Sequence, residues 1–502
     1  MTETKASRAP ITMLATGVPG LDDVLGGGLP ELSFNLIVGA PGTGKTTLAH
    51  QLMFANASPE RPGLYLIVLG EPPLKMLRYQ QTFAFFDPAK VNGVIRFFSL
   101  GDELMRGGLG AVLDKIIRTM GDVNPRLVVV DSFRSVIRAT RDADGGELAL
   151  QDFVHRLAVH LAAWEATTFL VGEHAEAQVQ DHPVYTVADG IIVLSQQVER
   201  NSVVRKIRVV KVRGRSDLPG LHTFRITSAG LTVYPRLPKP EDERSQDDFG
   251  APSVTESARL STGVGGLDAM LGGGIPRGYS ALIAGPSGSG KTVLAAQFLS
   301  EGIKHDEPGV LALFEKRPAG YLKTTTLGQH LEEMIRTERL AVVYLRPLDL
   351  SVDETLYAIR EAVIRTRAQR VVIDSLSGFE MAVSPGFRED FRESLYRLVG
   401  VLTGLGVTVV MTLEIEDAYT VLRLGPRENA FLSDAIILQR YVEIDGQLER
   451  LISVVKVRAS EHSKDLRLYD VTPTGIRVSD TKVAYHEVLL GRAMGVPLSR
   501  SG

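Results

Sequence analysis

The stretch "GAPGTGKTTLAH", residues 39–50, decides the fold. It reads GxxxxGKT, enters from the aliphatic run "FNLIVGA" and continues into a helical pattern. Glycines let consecutive backbone N–H groups converge on phosphate oxygens, and the positive end of the following helix adds to the attraction. On this reading Gly39, Gly42, Thr43, Gly44, Lys45, Thr46 and Thr47 hold a nucleotide. Lys45 neutralises the β- and γ-phosphates, and Thr46 offers its hydroxyl to Mg²⁺. An isolated match could be a glycine-rich turn that happens to carry a lysine, so the rest of the chain has to decide.

The chain is written twice. "TGVPGLDDVLGGGLPE" at 16–31 returns as "TGVGGLDAMLGGGIPR" at 262–277, a shift of 262 − 16 = 246. The loop returns as "GPSGSGKTVLAAQ" from 285, and 285 − 39 = 246 again. "RLVVVDS" at 126 pairs with "RVVIDS" at 370, and "KVRGRSD" at 211 with "KVRASEH" at 456. Several motifs in one order at nearly constant spacing mean two copies of one domain. The second phosphate loop comprises Gly285, Gly288, Ser289, Gly290, Lys291, Thr292 and Val293. Two loops in equivalent settings leave little room for coincidence.

Short Val/Ile/Leu runs such as "LYLIVLG" and "TTFLVGE" alternate with longer helical patterns. Continuous apolar strands are buried on both faces, which predicts an α/β fold with a mostly parallel sheet flanked by helices. The expected organisation is an N-terminal tail (1–13), a first domain (14–235), a linker (236–257), a second domain (258–480) and a C-terminal tail (481–502). The linker, "RLPKPEDERSQDDFGAPSVTES", is rich in charge, Pro and Ser. With no cysteine in 502 residues, disulfides, thiolate metal sites and cysteine nucleophiles are excluded. A net charge of −3 argues against tight nonspecific binding to nucleic acid, so DNA is not expected as a partner. The sequence lacks the long apolar run of a membrane helix, and the polar start lacks a signal-peptide core, so a cytoplasmic protein is expected.

Asp131 and Asp374 end aliphatic runs, and a carboxylate at the end of a buried parallel strand lies at the ligand edge of the sheet. Both are expected to share Mg²⁺ with Thr46 and Thr292. The strand after the loop helix ends in "LGEPP" (69–73) in one copy and "FEKRP" (314–318) in the other. Each keeps one glutamate, Glu71 or Glu315, able to orient or deprotonate a water, or else to serve as a surface turn residue. Their unequal positions predict unequal chemistry.

The doubled motif set resembles the KaiC-like family of RecA-type ATPases, from about residue 14 to 475. Its carriers are the twin TGVxGLDxxLGGGxP entries, the two phosphate loops, and "SDAIILQRYVEIDGQLERLISVVKVR" at 433–458. The resemblance implies two tandem RecA-like domains, ATP and Mg²⁺ as cofactors, and a homo-oligomeric ring of six with nucleotide between subunits. It gives Glu315 the general-base role, with Lys45 and Lys291 as catalytic cations; Glu71 is the surviving half of the first copy's Glu-Glu pair. It also makes Lys211, Arg213, Lys456 and Arg458 cations that reach a neighbour's γ-phosphate, joined in the second copy by Ser460, His462 and Lys464. A protein partner of the KaiB kind follows from the same source.

The family's phosphorylated Ser-Thr pair falls on Ala430 and Phe431, which cannot accept a phosphoryl group. Ser433, two residues on, is expected to be a turn residue. In the short tail, Val483, His486, Leu490 and Met494 are expected to line one face of a helix packed on its own domain. The expected function is therefore an ATPase whose nucleotide state signals to a partner. The alternatives are an autokinase using other hydroxyls, a DNA-stimulated RecA-like ATPase and a low-turnover ATP-sensing scaffold.

Overall fold

The computed structural model describes residues 12–68, 72–132, 152–153, 155–157, 159–160, 163–173, 184–199, 202–236, 258–324, 327–344, 352–382, 391–415, 433–444, 446–482, 485–486 and 494–495. The chain divides into two compact units, Met1–Arg236 and Leu237–Gly502.

The first unit is built on a nine-stranded sheet. Its strands are β1 (Phe34–Gly39), β2 (Gly63–Ile67), β3 (Ile95–Ser99), β4 (Leu127–Asp131), β5 (Thr167–Gly172), β6 (Gly190–Glu199), β7 (Ser202–Val212), β8 (His222–Thr227) and β9 (Gly230–Tyr234). The spatial order is β3-β2-β4-β5-β1-β6-β7-β8-β9. The strands from β3 to β6 run parallel, and β7 to β9 extend the sheet antiparallel. The aliphatic runs are continuous because both faces are covered. Leu36 and Val38 enter one apolar cluster while Ile37 enters another; Val128 and Val130 oppose Val129 in the same way.

The second unit repeats this order with β10 (Ser280–Gly285), β11 (Gly309–Leu313), β12 (Leu340–Tyr344), β13 (Arg370–Asp374), β14 (Thr408–Glu414), β15 (Ala435–Ile444), β16 (Gln447–Val457), β17 (Arg467–Thr472) and β18 (Gly475–Lys482). These are two RecA-like domains in tandem. In each, the strand before the phosphate loop, β1 or β10, lies mid-sheet and leads into a helix, α1 (Lys45–Asn56) or α2 (Lys291–Lys304).

The repeated entry motif is structural. Asp22 Oδ1 accepts the Thr16 N–H at 2.9 Å, and Asp268 Oδ1 accepts the Thr262 N–H at 2.8 Å, closing the same turn twice. The turn positions Met13–Leu14 against Leu29–Pro30, and Arg259–Leu260 against Ile275–Pro276.

The expected C-terminal helix is not what forms at the described tail residues. Tyr485–His486 pairs antiparallel with Met494–Gly495, so backbone pairing replaces helix there. Among the described residues, no helix is long and apolar enough to cross a membrane.

Candidate nucleotide site

In the first domain the loop turns on Gly42 and Gly44, whose φ angles of 78° and 101° lie where a side chain would be strained. Lys45 is 6% exposed and donates from Nζ to Ala40 O at 2.8 Å, folded over its own loop. Thr46 Oγ1 donates to Asp131 Oδ2 at 2.9 Å, so the expected hydroxyl and carboxylate do meet. Thr43 Oγ1 donates to Ala40 O, and Thr47 lies on the first turn of α1.

A second hydroxyl shares the same carboxylate oxygen: Tyr65, from β2, donates to Asp131 Oδ2 at 2.8 Å. His50, one turn along α1 from Thr46, sets its ring 4.5 Å from that of Tyr65, nearly parallel at 12°. Its Nδ1 donates to Thr46 O at 2.8 Å. Burial pushes the His50 imidazole down to about 4, so it is neutral. Burial also raises the Asp131 carboxyl, while the Tyr65 and Thr46 hydroxyls and the Lys45 charge pull it back. The Tyr65 phenol is held well above its ordinary value by burial and by Asp131, so it acts as a donor.

The second domain solves the same problem differently. Lys291 Nζ donates to Gly285 O at 2.8 Å and Pro286 O at 2.7 Å. The hydroxyl on Asp374 is that of Thr412, from the neighbouring β14, at 2.6 Å from Oδ1. Gly288 and Gly290 repeat the positive φ angles of the first loop, and Val293 lies on the first turn of α2. Burial lowers the Lys291 ammonium, but Glu414, Asp374 and Glu315 oppose that and Lys316 adds to it, so charges of both signs surround the loop. Glu315 follows β11 and accepts from Ser375 Oγ at 3.4 Å. It lies against Gly378 of helix α3 (Leu376–Ala382), where a Cβ would come within 2.4 Å of Glu315 Cγ. Glu71, Ala430 and Phe431 lie outside the described residues. Ser433 is buried, and its carbonyl accepts from Lys456 Nζ at 2.9 Å.

Sequence reasoning missed four residues here. Glu414 ends β14 in register with Gly285, and Glu173 follows β5, whose Gly172 pairs with Val38. An aliphatic strand running into Glu in both copies was the available signal. Tyr65 and Thr412 gave none, because each reads as part of a buried strand.

The Lys-Arg elements lie elsewhere. Lys211 Nζ donates to Ala188 O at 2.6 Å and Arg213 pairs with Asp189 at 3.0 Å; Lys456 donates to Ser433 O and Arg458 pairs with Asp434 at 3.4 Å. Those aspartates cap the start of the central strands: Asp189 accepts the Phe34 N–H and Asp434 the Ser280 N–H, each at 3.0 Å. The phosphate loop begins at the other end, at Gly39 or Gly285. At ~3.3 Å per residue the six-residue strand separates the two by roughly 17 Å. A domain's own Lys-Arg pair is thus remote from its own loop. Arg213 and Arg458 have side chains 58% and 70% exposed. Ser460 Oγ accepts from Arg259 at 2.5 Å, His462 Nδ1 lies 3.4 Å from Ser460 O, and Lys464 is exposed.

A glycine-turned loop, a lysine folded over it, and a carboxylate beside the helix start fit a nucleotide's phosphates. Thr46 with Asp131 supplies the oxygen donors Mg²⁺ takes when it keeps waters and phosphate oxygens as its other ligands. The family model described as "ATPase: KaiC" matches residues 14–238 and 260–483, both copies and nearly the whole chain. The chain belongs to the KaiC ATPase family. Curated KaiC proteins align with the chain over most of their length. The circadian clock oscillator protein KaiC of Synechococcus elongatus is 27% identical over 497 residues, covering 96% of this chain and 92% of that protein. The KaiC of Picosynechococcus sp. is 26% identical over 500 residues, covering 96% and 92%. KaiC 1 of Synechocystis sp. is 26% identical over 503 residues with the same coverage.

Proposed function

We propose that this KaiC-family ATPase hydrolyses ATP with Mg²⁺ at sites completed by a neighbouring copy of the chain. The copies close into a homo-oligomeric ring, six in number as the family resemblance implies. Its nucleotide state is read by a protein partner. The observation that carries this reading is the separation of roughly 17 Å along β10 between Arg458 and the chain's own loop. If these exposed cations serve a γ-phosphate, it belongs to another subunit.

Within the site, backbone N–H groups of 288–292 and Lys291 hold the phosphates, and Thr292 and Asp374 hold the metal or its waters. Held by these residues, Mg²⁺ would supply charge that offsets what develops in the transition state. Glu315 accepts a proton from the water whose oxygen bonds the γ-phosphorus as the β–γ bridging bond breaks. Lys291 and the neighbour's Lys456 and Arg458 offset the charge left on ADP and the transferring group. In the first domain the corresponding residues are Lys45, Thr46 and Asp131, with Glu71 as the surviving carboxylate and Lys211 and Arg213 reaching across.

The test is complementation. Each of Glu315→Gln and Arg458→Ala, in a Lys45→Ala background, is expected to lose phosphate release alone. Mixing the two should restore part of it, because some interfaces pair an intact Glu315 with an intact Arg458. No gain on mixing, with assembly intact, overturns the shared site. Following the γ-phosphate of labelled ATP in the same reactions separates hydrolysis, with label free in solution, from the autokinase alternative, with label on protein.

A further inference from the structure

Overlaying the two copies by their own register isolates one difference beside the metal-holding residues. The shift of 246 places Leu311 at Tyr65 and Ala296 at His50. Tyr65 pairs with Phe97 across β2 and β3, and Leu311 pairs with Val342 across β11 and β12. Where the first domain has a phenol, an imidazole and a phenyl ring, the second has Leu311, Ala296 and Val342 at the matching positions, and the buried phenol near Asp374 is that of Tyr321, from the helix Pro318–Thr324. Leucine donates no hydrogen bond, so Asp374 takes its hydroxyl from Thr412 instead.

We propose that Tyr65, held in place by His50, is a positioning residue that fixes the Asp131 carboxylate for metal-nucleotide binding and sets the first site's metal affinity. This rests on the assignment of Asp131 to the metal. Tyr65 and Thr46 both donate to Oδ2, at 2.8 and 2.9 Å, which locks the carboxylate rotation and leaves Oδ1 to accept from a metal-bound water. Tyr65 is fully buried, and two rings hold it in place: His50 stacks at 4.5 Å and Phe97 lies 5.4 Å from Tyr65 and 6.3 Å from His50. His50 also donates to Thr46 O, so one buried pair braces both metal-holding residues, the threonine through its backbone and the aspartate through its side chain. Orienting partners of this kind typically contribute a factor of about 10–100 in metal affinity.

Full-length protein carrying Lys291→Ala leaves the first site to be read alone. Mn²⁺ is titrated at fixed ATP, and bound Mn²⁺ is counted by electron paramagnetic resonance. Tyr65→Phe keeps the ring and removes one oxygen; it is expected to raise the Mn²⁺ concentration at half-saturation about tenfold, with thermal unfolding of the metal-free protein lowered by the loss of one buried hydrogen bond. Tyr65→Leu, the second domain's own residue, is expected to do the same without the ring. Titrations of both that superimpose on the parent overturn the proposal. Asp131→Asn separates the two layers of the argument. A shift there without one in the tyrosine variants refutes the positioning role alone, and no shift in any of the three refutes the metal assignment beneath it.

Discussion

Gly378→Ala separates the placement of Glu315 from its chemistry. An added Cβ would lie 2.4 Å from Glu315 Cγ, 2.5 Å from Oε1 and 2.7 Å from Cδ. Ordinary contact begins at 3.4 Å, so Cγ must retreat by 3.4 − 2.4 = 1.0 Å. All three obstructing atoms belong to one exposed, flexible side chain, so Glu315 moves and the backbone stays. Misplacing a reacting group by ~1 Å costs on the order of 10²-fold in rate. Stability should move the other way, because alanine in a helix is favoured over glycine by about 0.5–1 kcal/mol. The assay is phosphate release at saturating ATP in a Lys45→Ala background, beside thermal unfolding of the same samples. The expected result is a variant at least as stable as its parent and roughly 10²-fold slower. Glu315→Gln, losing the base itself, should fall by about 10²–10⁴. A Gly378→Ala protein at parental rate, with Glu315→Gln inactive beside it, would refute the claim that the glycine sets the carboxylate's position.

Three further outcomes are expected. Lys45→Ala and Lys291→Ala should each remove one bound nucleotide per chain in equilibrium binding, and together both. Glu307→Ala strips the buried Arg370, whose side chain is 1% exposed, of bonds at 2.8 and 2.5 Å; leaving that charge unpaired should cost about 3–5 kcal/mol in denaturant unfolding. Chelating Mg²⁺ should stop phosphate release, and Mn²⁺ should restore it, because hydroxyl and carboxylate oxygens accept either ion.

The nucleotide loops were legible because their chemistry is local: glycine spacing, a lysine and a hydroxyl lie within one turn and its helix. The α/β architecture was legible because strands buried on both faces cannot alternate, and "RLVVVDS" shows that directly. The partners of Asp131 and Asp374 were not. Tyr65 and Thr412 come from strands far away in sequence, and a tyrosine in "LYLIV" reads as core, which it also is. Register between β2 and β4 puts its hydroxyl on the carboxylate, and one sequence does not state register. The tail misled for a related reason. Val483 and Leu490 lie outside the described residues; at His486 and Met494, which share the helical spacing, a strand bridge forms, and a bridge leaves no periodic trace in so short a piece. The position of the Lys-Arg elements at the far end of β1 and β10 likewise needed the strand order.

That last placement has an arithmetic consequence. On the proposed sharing of sites, a subunit that carries its loops at one end of its central strands and its cations at the other joins its neighbours head to tail. A row of n such units completes n − 1 junctions and wastes, for each of the two domains, one loop and one cation pair at its ends, whereas a circle of n completes all n. Turnover per chain should therefore rise with concentration in steps set by growth and level off when the circle closes. Fragments poisoned with loop-dead copies should lose activity by junctions and not by mass. Dilution becomes an off-switch that acts without any change inside a subunit.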